Sequence, residues 1–226
     1  MNDFKQRYPQ YAAMVHRIYN PVDVNEICNA ATDAPVFPGK YFVQVSRLSV
    51  GKDIPTLLAA YQKFWHDNNR PDVKLVIVGD GPMGEQWRAD ARQMDCADNI
   101  VFVGTVTNPF GYIKNAIANI FATEFEGFGM VVVEGAALRT LNIAADCTYG
   151  PREILLNGRG GLLFDVGDAD ALGECMSRVY RGDVDVRAMT DAAADGLARF
   201  EVKNIVDQIL SLVRTVKSGG CKTGVN

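Results

Sequence analysis

Metal and redox chemistry have almost nothing to work with in this sequence. It holds two histidines, His16 and His66, and five scattered cysteines, Cys28, Cys96, Cys147, Cys175 and Cys221. No CxxC pair occurs, so no zinc spacing can be built. An odd, dispersed set of cysteines gives no disulfide framework and points to reduced thiols in a cytosolic protein. Lysine and arginine form no long run, and the net charge is −4 with a pI near 5.2. That balance argues against nucleic acid or an anionic membrane as the main partner. No apolar run approaches the ~20 residues of a membrane span. The opening MNDFKQRYPQYAAMVH lacks the apolar core of a signal peptide. A soluble, cytoplasmic chain is expected, with peripheral contact at the inner face of a membrane left open. Internal repeats and low-complexity segments are also missing.

What remains is ordinary globular material: 226 residues, 48% hydrophobic and 22% charged, enough for one large domain with appendages. Residues 1–40 contain an amphipathic stretch, Phe4 to Ile18, the turn-like Tyr19-Asn20-Pro21-Val22-Asp23 and a short polar helix, Val24 to Ala31. Apolar runs of strand length follow at Tyr41–Val45, Val73–Val78, Ile100–Val103, Ala118–Ala122, Ile143–Ala145 and Gly161–Phe164. Helical stretches stand between them, and further helices are expected at Asp168–Arg181 and Asp185–Ala198. An amphipathic tail runs over Val202–Val216, with a frayed end at Ser218–Asn226. Strand and helix alternate without a hairpin signal, which implies an α/β, doubly wound, Rossmann-like parallel sheet. Ligands of such sheets bind at the carboxyl ends of the strands, where the strand order switches. The polar, glycine-rich segments Arg47–Lys52, Gly79–Gly84, Gly104–Thr105 and Glu126–Gly129 all fall at such ends.

The stretch Glu126-Gly127-Phe128-Gly129-Met130-Val131-Val132-Val133-Glu134 follows a buried strand and opens a helix. Its glycines leave backbone N–H groups accessible at the helix N-terminus, an anion site. Two carboxylates flank those amides and can accept hydrogen bonds from hydroxyls. A ligand with phosphates and hydroxyls, such as a nucleotide sugar, fits this chemistry. A glycine-rich turn with two solvated acids fits the nine residues as well.

Gly79-Asp80-Gly81-Pro82-Met83-Gly84 matches the dinucleotide fingerprint G-x-G-x-x-G between a strand and a helix. Against that reading, Gly104 and Thr105 stand where the ribose-binding acid belongs, and Asp80 puts a carboxylate where a pyrophosphate must approach. The segment serves equally as a tight turn beside a neighbouring nucleotide. Asp168-Ala169-Asp170 and Asp183-Val184-Asp185 form D-x-D pairs at helix starts, where capping explains them. Trp65 and Trp87 fit packing and His66 a solvated helix end. Cys147 lacks the partner histidine of a nucleophile.

Arg47, Lys52, Gly79–Pro82, Gly104, Glu126–Glu134 and Gly150–Ile154, in this order, resemble the C-terminal, donor-binding domain of a retaining GT-B glycosyltransferase. The class is the glycosyl transferases group 1, family four. The resemblance spans roughly residues 19 to 200 and is carried by R-x4-K, G-x-G-P, a strand ending in glycine, and E-x7-E. It implies that Arg47 and Lys52 clasp the donor diphosphate and that Glu126 sits beside the donor sugar. Glu134 would accept from ribose hydroxyls. The backbone of Gly127, Phe128, Gly129 and Met130 would face sugar and diphosphate, and Thr105 and Val106 would meet the base. Asp146–Ile154 and Asn108–Lys114 resemble the bacterial polysaccharide and lipopolysaccharide members, which implies a UDP-hexose or UDP-N-acetylhexosamine donor, without metal or other cofactor.

Two departures carry expectations of their own. After Glu134 the family reads A-x-A-x-G-x-P-V, whereas Gly135, Ala136, Ala137, Leu138, Arg139, Thr140, Leu141 and Asn142 stand here. Without the glycine cap, and with Asn142 in an apolar strand position, a looser loop is expected. A complete member also carries an N-terminal, acceptor-binding domain. Here Tyr19–Asp23 resembles the interdomain linker, so residues 1–40 read as remnant and linker, 41–200 as the nucleotide-sugar-binding domain and 201–226 as a C-terminal helix and tail. Three functions follow: a glycosyltransferase donor domain, a binding module that needs an acceptor-domain partner chain, or an oxidoreductase using NAD at Gly79–Gly84.

Overall fold

Six short apolar runs separated by helix-forming stretches can satisfy their backbone only by pairing side by side. The computed structural model describes residues 2–218 and shows that pairing. The strands are β1 (Tyr41–Val45), β2 (Lys74–Val78), β3 (Ile100–Gly104), β4 (Ala118–Phe121), β5 (Asn142–Ala145) and β6 (Leu162–Phe164). They form one sheet in the order β3-β2-β1-β4-β5-β6, and every pair is parallel. The helices are α1 (Asn2–Arg7), α2 (Val24–Ala30), α3 (Ile54–Asp67), α4 (Gly84–Ala91), α5 (Phe110–Lys114), α6 (Met130–Ala137), α7 (Pro151–Ile154), α8 (Ala169–Arg181), α9 (Val186–Asp195) and α10 (Val202–Ser218).

Two compact units divide the chain: Val24–Leu197, and the segments before and after it. The larger unit holds the whole sheet. On one face Phe42, Leu75, Ile77, Ile120 and Ile143 form a core with Leu57, Tyr61 and Phe64 of α3 and Leu172 and Met176 of α8. The other face is covered by α2, α5 and α6. With both faces covered, β1, β2, β4 and β5 are almost wholly buried and run mainly apolar without alternation, while the edge strand β3 is half-buried along its length. In the smaller unit the Val22 amide bonds to the Phe200 carbonyl at 2.8 Å, and Tyr19 stacks edge-on against Phe200. Pro9 limits the expected amphipathic helix over Phe4–Ile18: α1 stops at Arg7 and a single 3₁₀ turn follows. No helix among the described residues is long and apolar enough to cross a membrane. The expected frayed end lies, beyond Ser218, outside the described residues.

The loop expected to be loose after α6 is packed. Arg139 takes a left-handed conformation (φ 55°) in place of the missing glycine, and the Thr140 amide bonds back to the Gly135 carbonyl at 2.9 Å. A non-glycine residue there costs about 1 kcal/mol. The Thr140 hydroxyl donates to the Ile113 carbonyl at 3.0 Å, and Thr140, Leu141 and Asn142 are all buried. Asn142 is accommodated by a partner. Its Oδ1 accepts from Asn119 Nδ2 at 2.8 Å, while its own amide donates to the Val132 carbonyl of α6 at 3.1 Å.

Candidate functional site

Because all six strands run the same way, their carboxyl ends lie along one edge. Strand order reverses between β1 and β4, so the loops after these two strands diverge and leave a crevice. Gln44, buried in β1, fastens the two strands at this point. Its side-chain amide donates to the Ala122 carbonyl at 3.2 Å and its Oε1 accepts from the Ala122 amide at 3.0 Å. The pairing thus extends one residue beyond the end of β4.

The loop after β1 carries Arg47 and Lys52, and the turn after β2 supports it from below. A Cβ on Gly79 (φ 124°) would lie 2.0 Å from the Ser46 carbonyl oxygen, and one on Gly81 2.4 Å from that of Leu48. The first two glycines of the fingerprint are therefore required by the chain's own backbone, while Gly84 faces the Asp80 and Arg88 side chains. Leu48 closes the contact, bonding its amide to the Asp80 carbonyl and its carbonyl to the Met83 amide. The Asp80 carboxylate is held below its usual range by the Gly81 amide and then by Arg88. Gly104 (φ 82°) ends β3 and accepts from the Gly79 amide at 2.8 Å. Gly81, Pro82 and Gly104 thus shape the loops, while Arg47, Gly79, Thr105 and Val106 line a common cavity of about 310 Å³.

That cavity is also lined by Val45, Val78, Pro109 and Val131. Its apolar walls and open mouth suit a flat ring carried into a cleft. Ser46 lines it too, and the Ser46 Oγ is buried without a hydrogen-bond partner among the described residues. Arg47 is exposed and forms no ion pair among the described residues.

Lys52 and Glu126 meet across the crevice, Nζ to Oε2 at 2.9 Å. Lys52 Nζ also lies 5.4 Å from the centroid of the Phe121 ring. Burial alone would raise the Glu126 pKa, but the Lys52 hydrogen bond and charge, with the Gly127 and Phe128 amides, outweigh it and hold the carboxyl below its ordinary value. Glu126 is accordingly ionised at neutral pH. An ammonium has three donors, so Lys52 keeps two for another acceptor while bound to Glu126.

Gly129 (φ 97°) starts α6 in the left-handed region, turning the chain sharply from the acid into the helix. The amides of Gly129, Met130 and Val131 meet no acceptor among the described residues. They stand at the start of a helix, where the helix dipole favours an anion. Gly150 (φ 94°) packs against the same turn: a Cβ there would lie 1.9 Å from the Phe128 carbonyl oxygen.

Glu134 lies one turn further into α6, largely buried, and burial raises its pKa. Its carboxylate accepts no hydrogen bond and forms no ion pair among the described residues. An acid left in this state has acceptor capacity to offer hydroxyls. Helix α6 is placed by Asn119, which donates to the Val131 carbonyl at 3.0 Å, and by Asn142. Gly135 makes this approach possible, since a Cβ there would lie 2.4 Å from Asn142 Oδ1.

The remaining candidates resolve into structure. Asp168 and Asp185 cap α8 and α9 through the Ala171 and Ala188 amides, at 2.8 and 3.0 Å. Trp87 is buried, and Trp65 packs against the core. His66 Nε2 lies 3.3 Å from Asp95. The buried Cys147 thiol has its pKa raised, by burial first. Sequence reasoning missed Gln44, Ser46, Asn119 and Thr123. Gln44 and Asn119 carried a legible signal, a polar residue inside an apolar strand, since such a group must find a partner when buried.

Comparison with known proteins places this crevice in context. Residues 36–195 match the family described as glycosyl transferases group 1. One curated relative is an N-acetylgalactosamine-N,N'-diacetylbacillosaminyl-diphospho-undecaprenol 4-alpha-N-acetylgalactosaminyltransferase of Campylobacter jejuni, 25% identical over 183 residues, or 81% of this chain and 49% of the relative. Another is a lipopolysaccharide 1,6-galactosyltransferase of Salmonella typhimurium, 28% identical over 178 residues, covering 74% of this chain and 46% of the relative. The chain spans about half the length of these relatives. Among solved structures, HepE of Anabaena in complex with UDP superimposes with a TM-score of 0.74 at 22% identity, over 88% of this chain and 57% of HepE. That likeness shows the Rossmann-like fold of one half of a GT-B glycosyltransferase. Since the family match runs through the whole sheet and every loop of the crevice, the chain belongs to the glycosyl transferases group 1 family.

Proposed function

We propose that this chain is the donor-binding half of a retaining glycosyltransferase, which transfers a hexosyl group from a UDP-linked donor to an acceptor hydroxyl in glycan, polysaccharide or lipopolysaccharide biosynthesis. The observation that carries the reading is the meeting of Lys52 and Glu126 across the crevice, with Arg47 in the same loop as Lys52 and, among the described residues, no ion pair at Arg47 and no acceptor for the first amides of α6. HepE, of the same fold, is a UDP complex.

The leaving group in such a reaction is a diphosphate whose charge grows as the glycosidic bond breaks. Arg47, the two spare donors of Lys52 and the α6 amides would stabilise that charge, and each preplaced donor of this kind is worth on the order of 10²–10³ in rate. Glu126, ionised and fixed by Lys52, would accept from sugar hydroxyls and hold the ring above the diphosphate. Glu134 would accept from the ribose, and the base would enter the cavity at Thr105 and Val106. The acceptor approaches the same face the leaving group departs from, in line with retention. No metal is assigned a role, since the cations of the chain supply the charge.

The acceptor site belongs to another domain or a partner chain. With that half separate, the chain serves as a nucleotide-sugar-binding module, and activity follows only when the two are joined. The whole enzyme would work at the cytoplasmic face of the membrane, where lipid-linked glycans are extended. The test is calorimetry of the chain with UDP, UDP-hexoses, UDP-N-acetylhexosamines and NAD. Saturable binding of UDP and at least one UDP-sugar supports the reading. Binding of NAD without UDP would refute it in favour of an oxidoreductase.

A further inference from the structure

The two loops that form the clamp belong to different strands, so something must set one against the other. Lys52 and Glu126 cannot do so alone, because a partly exposed ion pair contributes about 1 kcal/mol or less and is screened by salt. The Gly51 carbonyl lies next to Lys52 and points into the neighbouring loop. It accepts from the Thr123 hydroxyl at 2.9 Å and from the Glu124 amide at 2.9 Å. The single proton of the Thr123 hydroxyl is shared between this carbonyl and that of Phe125, also 2.9 Å away, so one hydroxyl ties Gly51 to the turn that leads to Glu126. Gly51 itself is left-handed (φ 89°), and a Cβ on it would lie 2.7 Å from the Phe125 ring. Thr123 is fully buried, and the residue before it, Ala122, is held at both backbone groups by Gln44.

From this geometry we infer that Thr123 is a positioning residue, whose hydroxyl registers the loop bearing Arg47 and Lys52 against the loop bearing Glu126 and the amides of α6. The chain of contacts is continuous. Gln44 fixes Ala122 to β1, Thr123 fixes Gly51, and Gly51 delivers Lys52 to Glu126. Every link but the last is buried and neutral, so it persists at salt concentrations that weaken the ion pair. Thr123 does not itself reach the crevice. It acts through Gly51, and its effect on the donor rests on the function proposed above.

Thr123→Val keeps the shape of the side chain and removes the hydroxyl, while Thr123→Ser keeps the hydroxyl. The measurement is an NMR titration of the Glu126 carboxyl in the ligand-free chain, with UDP affinity determined in parallel. In Thr123→Val, Lys52 drifts from Glu126, so the carboxyl titrates at higher pH, and UDP binds roughly 3- to 10-fold more weakly. In Thr123→Ser both return to the parent values. A folded Thr123→Val whose Glu126 titration is unchanged overturns the inference. A shifted titration with unchanged UDP affinity upholds the role of Thr123 and counts against the donor site instead. Should Thr123→Val not fold, hydrogen exchange in the parent chain decides: the Glu124 amide, bonded to the same carbonyl, must exchange slowly, and rapid exchange overturns the inference.

Discussion

Lys52 Nζ stands 2.9 Å from Glu126 Oε2, joining the loop after β1 to the loop after β4 at the point where strand order reverses. Each partner sets the other's state. The lysine, with the Gly127 and Phe128 amides, outweighs the effect of burial on the glutamate, and the glutamate keeps a cation seated at the start of α3, where the helix dipole would otherwise repel it.

Replacing Lys52 by Met should therefore leave only the Gly127 and Phe128 amides to oppose burial, and the Glu126 carboxyl should titrate at higher pH than in the parent chain. The sign for stability follows. A depressed carboxyl contributes fully above pH 4.5 and loses its contribution as the pH falls through the lower folded-state value. The stability difference between parent and Lys52→Met, about 1 kcal/mol near neutrality, should shrink as the pH is lowered. Urea unfolding across the acid range checks this.

Glu134 predicts the reverse. Its carboxyl is raised by burial and has no compensating partner, so ionisation at neutral pH costs stability that is regained as the pH falls. Glu134→Gln should raise the melting temperature of the ligand-free chain at pH 7 while weakening UDP binding. Such opposed changes are expected where a site keeps an uncompensated group for its ligand. Calorimetric scans with and without UDP give both quantities.

Gly135 and Asn142 should be coupled. Gly135→Ala alone places a Cβ 2.4 Å from Asn142 Oδ1 and is expected to cost about 1–3 kcal/mol. With Asn142→Val in the same chain the contact with Oδ1 is removed, while that with Asn119 Nδ2 at 2.9 Å stays and Asn119 loses a partner. A double-mutant cycle should show a favourable interaction of about 1 kcal/mol or more. Additive effects would mean that the asparagine pair does not set the approach of α6.

Gly79→Ala should destabilise the larger unit by roughly 1–3 kcal/mol, because it combines a left-handed φ with a Cβ 2.0 Å from the Ser46 carbonyl. The Arg47 loop must shift to relieve that contact, so UDP affinity should fall as well. Thermal unfolding and calorimetry measure the two effects separately.

Much of this architecture was legible from residue patterns. Apolar runs such as Leu75–Val78 announced strands buried on both faces, and the glycine segments were rightly placed together at the carboxyl ends of the strands. Asp168 and Asp185 read as caps and serve as caps. Boundaries were less exact, since helix ends depend on tertiary partners; the helix expected over Asp185–Ala198 stops at Asp195. The loop after α6 was misjudged for a specific reason. Asn142 looks wrong for a core strand until Asn119, 23 residues earlier, is found beside it and Gly135 is seen to make room. Thr123 was invisible for the same reason. Its partner, Gly51, lies 72 positions away, and no local pattern marks a hydroxyl whose acceptor is a distant carbonyl.

The central claim is that the crevice holds a nucleoside diphosphate through Arg47. Titration of UDP into the parent chain and into Arg47→Ala tests it most directly. Arg47 is exposed and forms no ion pair among the described residues, so its removal should leave the fold intact. Loss of a charged hydrogen bond to phosphate should weaken UDP roughly 10- to 100-fold, to the point of undetectable binding if the parent affinity is modest. Equal affinity for UDP in the two proteins would contradict the account.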